Sequence, residues 1–345
     1  MESVTLPAPR HIDPFAVPSL RWGVIGTGWI AGYFVDALRE HTGQRVSVVA
    51  ARDAERTEAF AAAHGIERVL TPPEAVFDLA DIDVVYIATP HASHRDLALR
   101  AIATGKHVLV EKPFAMTAAE AAEIAAASRA AGVLAMEAMW TRYLPQSDVL
   151  RQLIAEGELG DITQVVADFG SAASYDPASR LWDPAQGGGA LLDIGVYPIS
   201  FASSILGTPE RVQASGLMTP DGIDLRATAL LTSAGGAADA VVSTSLLAKT
   251  PASAMVVGTL SRVDVLPAFF APSGLRLTRG EQSEEWIDDR FSQRYDALGY
   301  QATALASFVA EGRLESPLHP LDEVTAVLGT VERIRHQLTV TDVAF

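Results

Sequence analysis

Up to about Trp140, short apolar runs alternate with stretches whose apolar residues recur every three or four positions. The first run, 20–25, predicts a strand. Residues 26–32 form a glycine-bearing turn into a helix over 29–40, with Ile30, Phe34 and Leu38 along one face. The run 46–51, bounded by charges, reads as a strand buried on both faces; an alanine-rich helix follows to His64, with Gly65 as its stop. A short strand near Val69, a helix opened by Pro72-Pro73, a strand over 83–88 and a helix over 93–104 continue the pattern. Strand 107–110, helix 117–131 and strand 133–137 complete it. Strand–helix alternation at this spacing means βαβ units and a parallel sheet.

After Trp140 the texture changes. A helix over 144–156 leads into longer alternating segments at 162–169, 212–218, 226–232, 240–246, 253–258, 261–265 and 274–278. Among them lie Gly187-Gly188-Gly189 and a helix over 190–206; helices over 295–311 and 321–338 close the chain. The expected fold class is therefore α/β. A dinucleotide-binding domain spans 20–142, and an α+β domain on a large, mostly antiparallel open sheet spans 143–345. Residues 1–19, with four prolines, read as an extended arm, packed on a neighbour or loose.

Composition narrows the function. The chain has 345 residues, 49% of them hydrophobic, enough for two buried cores. A net charge of −16 opposes binding to nucleic acid or an anionic membrane surface. There is no cysteine, which excludes disulfides, thiolate metal sites and cysteine nucleophiles and is compatible with a reducing cytoplasm. No signal-peptide core stands at the start, and no run approaches the ~18 apolar residues of a membrane span. A cytoplasmic enzyme is expected. The eight histidines are scattered without ligand spacing, so no metal is implied.

Gly26-Thr27-Gly28-Trp29-Ile30-Ala31 matches G-x-G-x-x-[GA], with a strand before it and a helix after it. The first glycine makes the tight turn, the second lets the backbone approach a pyrophosphate, and the phosphates sit on the helix N-terminus. At the end of the second strand, if the second helix begins there, Arg52 and Arg56 share a face and can clamp a 2′-phosphate, whereas Asp53 can hold a 2′-hydroxyl. The pair of arginines favours NADP, with NAD the alternative. Thr89, Pro90, His91 and His94 lie in the turn after the fourth strand, where the nicotinamide ribose belongs. Ser93 is the expected N-cap of the next helix.

The reaction site is read from Glu111-Lys112-Pro113, at the end of the fifth strand. An ammonium at the carboxyl edge of a parallel sheet can polarise a substrate oxygen or depress the pKa of a neighbouring acid–base group. Its expected partner is the segment containing Asp193 and Tyr197, four residues apart and so on one helix face. Tyr197 can take the alcohol proton as hydride leaves the same carbon, and Asp193 would orient a substrate hydroxyl or the Lys112 head group. Trp140, Tyr143, Phe169 and Trp182 are candidates to floor a substrate pocket, and Arg142 to pair at its mouth. Aromatics serve core packing at least as often.

The fingerprint, Glu111-Lys112-Pro113 and the stretch from Gly188 to Tyr197 together resemble the glucose–fructose oxidoreductase, inositol dehydrogenase and rhizopine-catabolism family. The segments 136–145, 180–182 and 316–323 look most like its trans-1,2-dihydrobenzene-1,2-diol dehydrogenase and NADP-dependent D-xylose dehydrogenase branch. The resemblance covers about 20–340. It implies a Rossmann domain followed by an α+β domain, homodimers or homotetramers formed through the open sheet, and Lys112 and Tyr197 as the catalytic pair. It further implies Glu111 and the fingerprint residues at the cofactor, Arg52 and Arg56 at its adenosine phosphate, and a cis Lys112–Pro113 peptide. His91 stands where an Asn is common, and Tyr197 where many relatives carry His. Both departures are shared with the dihydrodiol branch and speak against a myo-inositol-type substrate. The expected activity is hydride transfer between NAD(P) and a secondary alcohol or carbonyl of a sugar or cyclic vicinal diol. The alternatives are an enzyme that keeps its cofactor bound (epimerase, glycosidase or sugar–sugar oxidoreductase) and a non-catalytic cofactor-binding regulator.

Overall fold

A computed structural model describes residues 4–291 and 293–342. The first part of the chain runs β1 (Arg21–Ile25), α1 (Trp29–His41), β2 (Arg45–Ala50), α2 (Ala54–His64), β3 (Arg68–Leu70), β4 (Val84–Ile87), α3 (His94–Ala103), β5 (His107–Val110), α4 (Ala118–Ala131) and β6 (Ala135–Glu137). The six strands are all parallel, in the order β3-β2-β1-β4-β5-β6. This is the doubly wound Rossmann order, which reverses between β1 and β4, so the loops leaving those two strands frame the crevice. Local chemistry sets the helix ends. Thr117 caps α4 by accepting from Glu120 N at 3.1 Å, and Gly65 and Gly132 take the left-handed conformation that ends α2 and α4. Where the proline pair led to the expectation of a helix, only a 3₁₀ segment, Pro73–Asp78, forms.

The chain continues with α5 (Pro145–Ala155), β7 (Ile162–Gly170), α6 (Val196–Leu206), β8 (Arg211–Met218), β9 (Asp224–Thr232), β10 (Asp239–Ser245), β11 (Ala254–Gly258), β12 (Arg262–Val265), β13 (Gly274–Arg279), β14 (Gln282–Ile287), α7 (Leu298–Ala310), α8 (Leu321–Arg335) and β15 (Thr339–Val340). Nine strands form the second sheet, in the order β14-β13-β12-β11-β7-β10-β9-β8-β15. Pairing is antiparallel except for β7 with β10 and β8 with β15. Buried residues alternate along β10, as expected of a sheet covered on one face, and α6 packs over β7 and β10.

The chain divides into two compact units. One comprises Met1–Arg10, Leu144–Arg290 and Thr325–Phe345; the other comprises His11–Tyr143 and Phe291–Val324. The sequence reading placed residues 143–345 in one domain, whereas this division groups Phe291–Val324 with the parallel-sheet unit. Phe291–Val324 joins the parallel-sheet unit because α7 packs on α1, where Gly299 lets Thr42 and Ala37 approach. Ala135 N donates to Leu314 O at 3.1 Å, and Arg129 binds both Glu315 and Asp322.

The N-terminal arm, outside residues 1–3, which are not described, lies along its own chain. Arg10 donates from its backbone and guanidinium to Asp148 of α5, Gln152 donates to Ala8 O, and Leu6 N donates to Glu284. The stretch Pro184–Leu206 is long and apolar enough to cross a membrane, which the sequence reading denied to any segment; 72% of its apolar window is buried within the protein.

Candidate active site

The glycine turn after β1 is built as an anion cradle. Gly26 has φ +112°, and a Cβ on it would stand 2.4 Å from Ala88 O in the turn after β4, so only glycine fits there. A Cβ on Gly28 would meet nothing within 4 Å; the space before α1 is open. The α1 N-terminus carries no side-chain cap and no acidic residue in its first turn, which leaves its N–H groups to an outside acceptor. These features fit a dinucleotide pyrophosphate. Ala31 is fully buried, as the fingerprint asks, but the tightest helix contact is one residue on: a Cβ on Gly32 would lie 2.9 Å from the His64 ring of α2.

At the end of β2, Asp53 caps α2, its Oδ1 accepting from Arg56 N at 3.0 Å. The Arg56 guanidinium reaches back to Thr27 O at 3.2 Å, within the glycine turn. Arg52 is exposed and precedes the Asp53 cap, outside α2, so the two arginines do not share a helix face as the sequence reading had it, because the helix starts two residues later. Trp29 is exposed and packs edge-on against Tyr33 and Tyr295, and Ile30 is half-buried.

His94 pins the crevice loops. One ring nitrogen lies 2.9 Å from Thr89 O after β4 and the other 2.9 Å from Pro113 O after β5. His91 is also buried, its ring 5.7 Å from that of His94. Ser93 does not cap α3 with its side chain, as the sequence reading had it. Its hydroxyl turns back to Thr89 Oγ1 and Pro90 O, which tightens the turn instead.

Lys112 stands two residues beyond β5 rather than ending it, and its peptide to Pro113 is cis, as the resemblance implied. The turn is gripped by buried carboxylates. Glu111 Oε2 accepts from Lys112 N at 3.2 Å while its Oε1 accepts from the Tyr86 hydroxyl at 2.6 Å. Burial pushes the Glu111 carboxyl above its usual range, against the Tyr86 bond and the Lys112 charge. Lys106, by contrast, is structural, its ammonium spent on the carbonyls of Leu79 and Ile82.

In the antiparallel-sheet unit, Gly188 packs against the carbonyls of Arg180, Leu181 and Asp183, and Gly189, at φ +109°, packs against the Asp224 carboxylate. Asp224, which sequence reasoning missed, accepts from Leu191 N at 2.6 Å and so caps the following turn. The helix read as 190–206 opens with a π-helical turn, Leu191–Gly195, before α6. Functional sites often carry such a turn. Asp193 sits in it and pairs with Arg180 at 2.8 Å, a partner not foreseen. Tyr197 is buried beside Phe169 and Phe270, ring centroids 5.7 and 5.4 Å away, and those two phenylalanines stack at 4.1 Å.

Two substrate candidates have partners inside the protein. Arg142 is buried and forms an ion pair with Glu323, so its charge is committed inside the protein. Trp182 belongs to an apolar core with Ile194, Ile223, Leu225 and Leu246, its indole N–H held by Ser174 O at 3.1 Å. Trp140 is buried and stacks at 6.0 Å on Tyr295, which in turn stacks on Tyr33.

Comparison with known proteins follows the same lines. A family described as "Oxidoreductase family, NAD-binding Rossmann fold" matches residues 20–139, and one described as "GFO/IDH/MocA C-terminal domain" matches 148–263. Trans-1,2-dihydrobenzene-1,2-diol dehydrogenase from Bos taurus is 32% identical, with 94% of this chain and 98% of the relative covered. The Homo sapiens protein of that name is 33% identical at the same coverage. Among solved structures, a 3-ketoreductase from Actinomadura kijaniata, in complex with NADP and TDP-benzene, superposes with a TM-score of 0.80 at 27% identity, with 93% of this chain and 98% of that one covered.

Proposed function

The chain belongs to the GFO/IDH/MocA family of NAD(P)-binding oxidoreductases, and from that premise we propose that it moves hydride between NADP(H) and a secondary alcohol or carbonyl carbon of a cyclic vicinal diol or sugar. Lys112 and Tyr197 are its acid–base pair. The observation that carries the reading is the Lys112 turn, an ammonium at the crevice end of a parallel sheet whose backbone is bound by a buried carboxylate. An ordinary surface lysine has no such support.

The nicotinamide, when bound, supplies the hydride acceptor or donor; the chain does the rest. The Lys112 ammonium polarises the reacting oxygen, and the Tyr197 hydroxyl exchanges its proton. Asp193, oriented by Arg180, binds a further substrate hydroxyl. The Phe169–Phe270 stack beside Tyr197 suits the apolar face of a ring. For the cofactor, Asp53 is engaged as a helix cap, while Arg56 already leans over the glycine turn and Arg52 stands exposed just before that cap. That arrangement favours a 2′-phosphate over a bare ribose, hence NADP.

The test is nicotinamide absorbance with NADP⁺ or NADPH against a panel of cyclic vicinal diols, pentoses and hexoses. Turnover is expected on at least one member. Lys112→Ala and Tyr197→Phe should each lower kcat by about 10²-fold or more, with cofactor affinity within about tenfold. Tight cofactor binding with no turnover on any member would replace this reading with that of a regulator.

A further inference from the structure

The parallel-sheet unit contains a buried chain of alternating charge types that the proposed reaction does not use. Glu137 ends β6, where it is in register with Val110 at the end of β5. Its Oε1 accepts from Phe114 N at 2.8 Å, and its Oε2 lies 2.8 Å from His319 Nε2. The other nitrogen of that imidazole, Nδ1, is 3.6 Å from Glu323 Oε2, and Glu323 pairs with Arg142. The Glu137 and His319 side chains are 3% and 0% exposed, so neither is a surface pair of little consequence.

Phe114 N is the first backbone N–H after the Lys112–Pro113 peptide, since proline has none. The donors on either side of Pro113 are thus each taken by a buried carboxylate: Lys112 N by Glu111 and Phe114 N by Glu137. A buried carboxylate needs both hydrogen-bond donors and a compensating partner. Tyr86 gives Glu111 a donor; His319 gives Glu137 one, and Glu323 with Arg142 closes the chain. Where side chains cap α-helices in this fold, single residues serve, Asp53 for α2 and Thr117 for α4, so four titratable groups are more than a turn requires for stability alone.

We propose that Glu137, held by His319 and through it by Glu323 and Arg142, is a positioning residue that fixes the Lys112–Pro113–Phe114 turn and so the place of the Lys112 ammonium. The proposal rests on Lys112 being the catalytic lysine, and its test separates the two claims. The chain has only three lysines, Lys106, Lys112 and Lys249. Reductive ¹³C-methylation therefore gives a short set of lysine signals by NMR, and Lys112→Arg identifies the one from residue 112.

In folded Glu137→Gln and His319→Ala, checked by circular dichroism, the Lys112 signal should move or split while that of exposed Lys249 stays in place. With NADP(H) and a substrate from the panel, kcat should fall about tenfold or more, with KM and cofactor affinity within about twofold, as expected for a misplaced reacting group. His319→Gln, whose amide can still donate to Glu137, should recover part of the loss. Should His319→Ala not fold, Glu137→Gln and His319→Gln carry the comparison. An unmoved Lys112 signal and unchanged kcat in these folded variants would overturn the proposal and make the chain purely structural. Full turnover by Lys112→Ala would instead remove Lys112 from the reaction, leaving the NMR result to decide whether Glu137 positions the turn.

Discussion

Replacing Glu323 by glutamine should destabilise the protein at neutral pH and do so progressively less in acid. Burial alone would raise the Glu323 carboxyl, but His319 and Arg142 outweigh it and hold it at about 2. A glutamate in the unfolded chain titrates near ~4.3, so the folded state favours the ionised form by roughly 3 kcal/mol. About a fifth of the side chain is open to water, and screening brings this to about 2–3 kcal/mol. Because the folded value is depressed, that stability is complete above the unfolded pKa and is lost as pH falls from about 4.3 towards 2. Glu323→Gln should therefore lie about 2–3 kcal/mol below wild type at pH 7, with a gap about 1 kcal/mol smaller at pH 3.5. Urea unfolding followed by circular dichroism at pH 7, 5 and 3.5, with slopes compared, measures it. A gap that is constant, or widens in acid, would show that the carboxyl is not held down by its two partners.

Two further outcomes bear on the cofactor. Arg52→Ala or Arg56→Ala should weaken NADP⁺ binding by about 1.5–3 kcal/mol in a fluorescence titration and leave NAD⁺ unchanged; equal losses for both cofactors would mean that neither arginine reads the 2′-phosphate. Gly26→Ala should lower stability by about 2 kcal/mol or more, given φ +112° and Ala88 O 2.4 Å from the new Cβ. Gly28→Ala, which meets no atom within 4 Å, should melt like the wild type yet lose cofactor affinity. Similar melting losses in both would dissolve the distinction between the turn glycine and the ligand-facing one.

The amino-acid sequence alone determined the features whose causes are local. The two hydrophobic periods named the βαβ repeat and the antiparallel half, because helix and strand each impose their own spacing on neighbouring residues. Gly26 and Gly28 declared the cradle, since a left-handed turn and an open helix start are decided within six residues. Lys112 stood out because nothing apolar around it explained a lysine there. Only the tertiary structure showed that 291–324 belongs with the parallel sheet, that Arg142 is consumed by Glu323, that Trp182 is core, and that Arg180 holds Asp193. Glu137 and His319 meet across 182 positions of chain. Such a pair leaves no periodic trace, because its energy comes from burial that two distant segments create only by folding together.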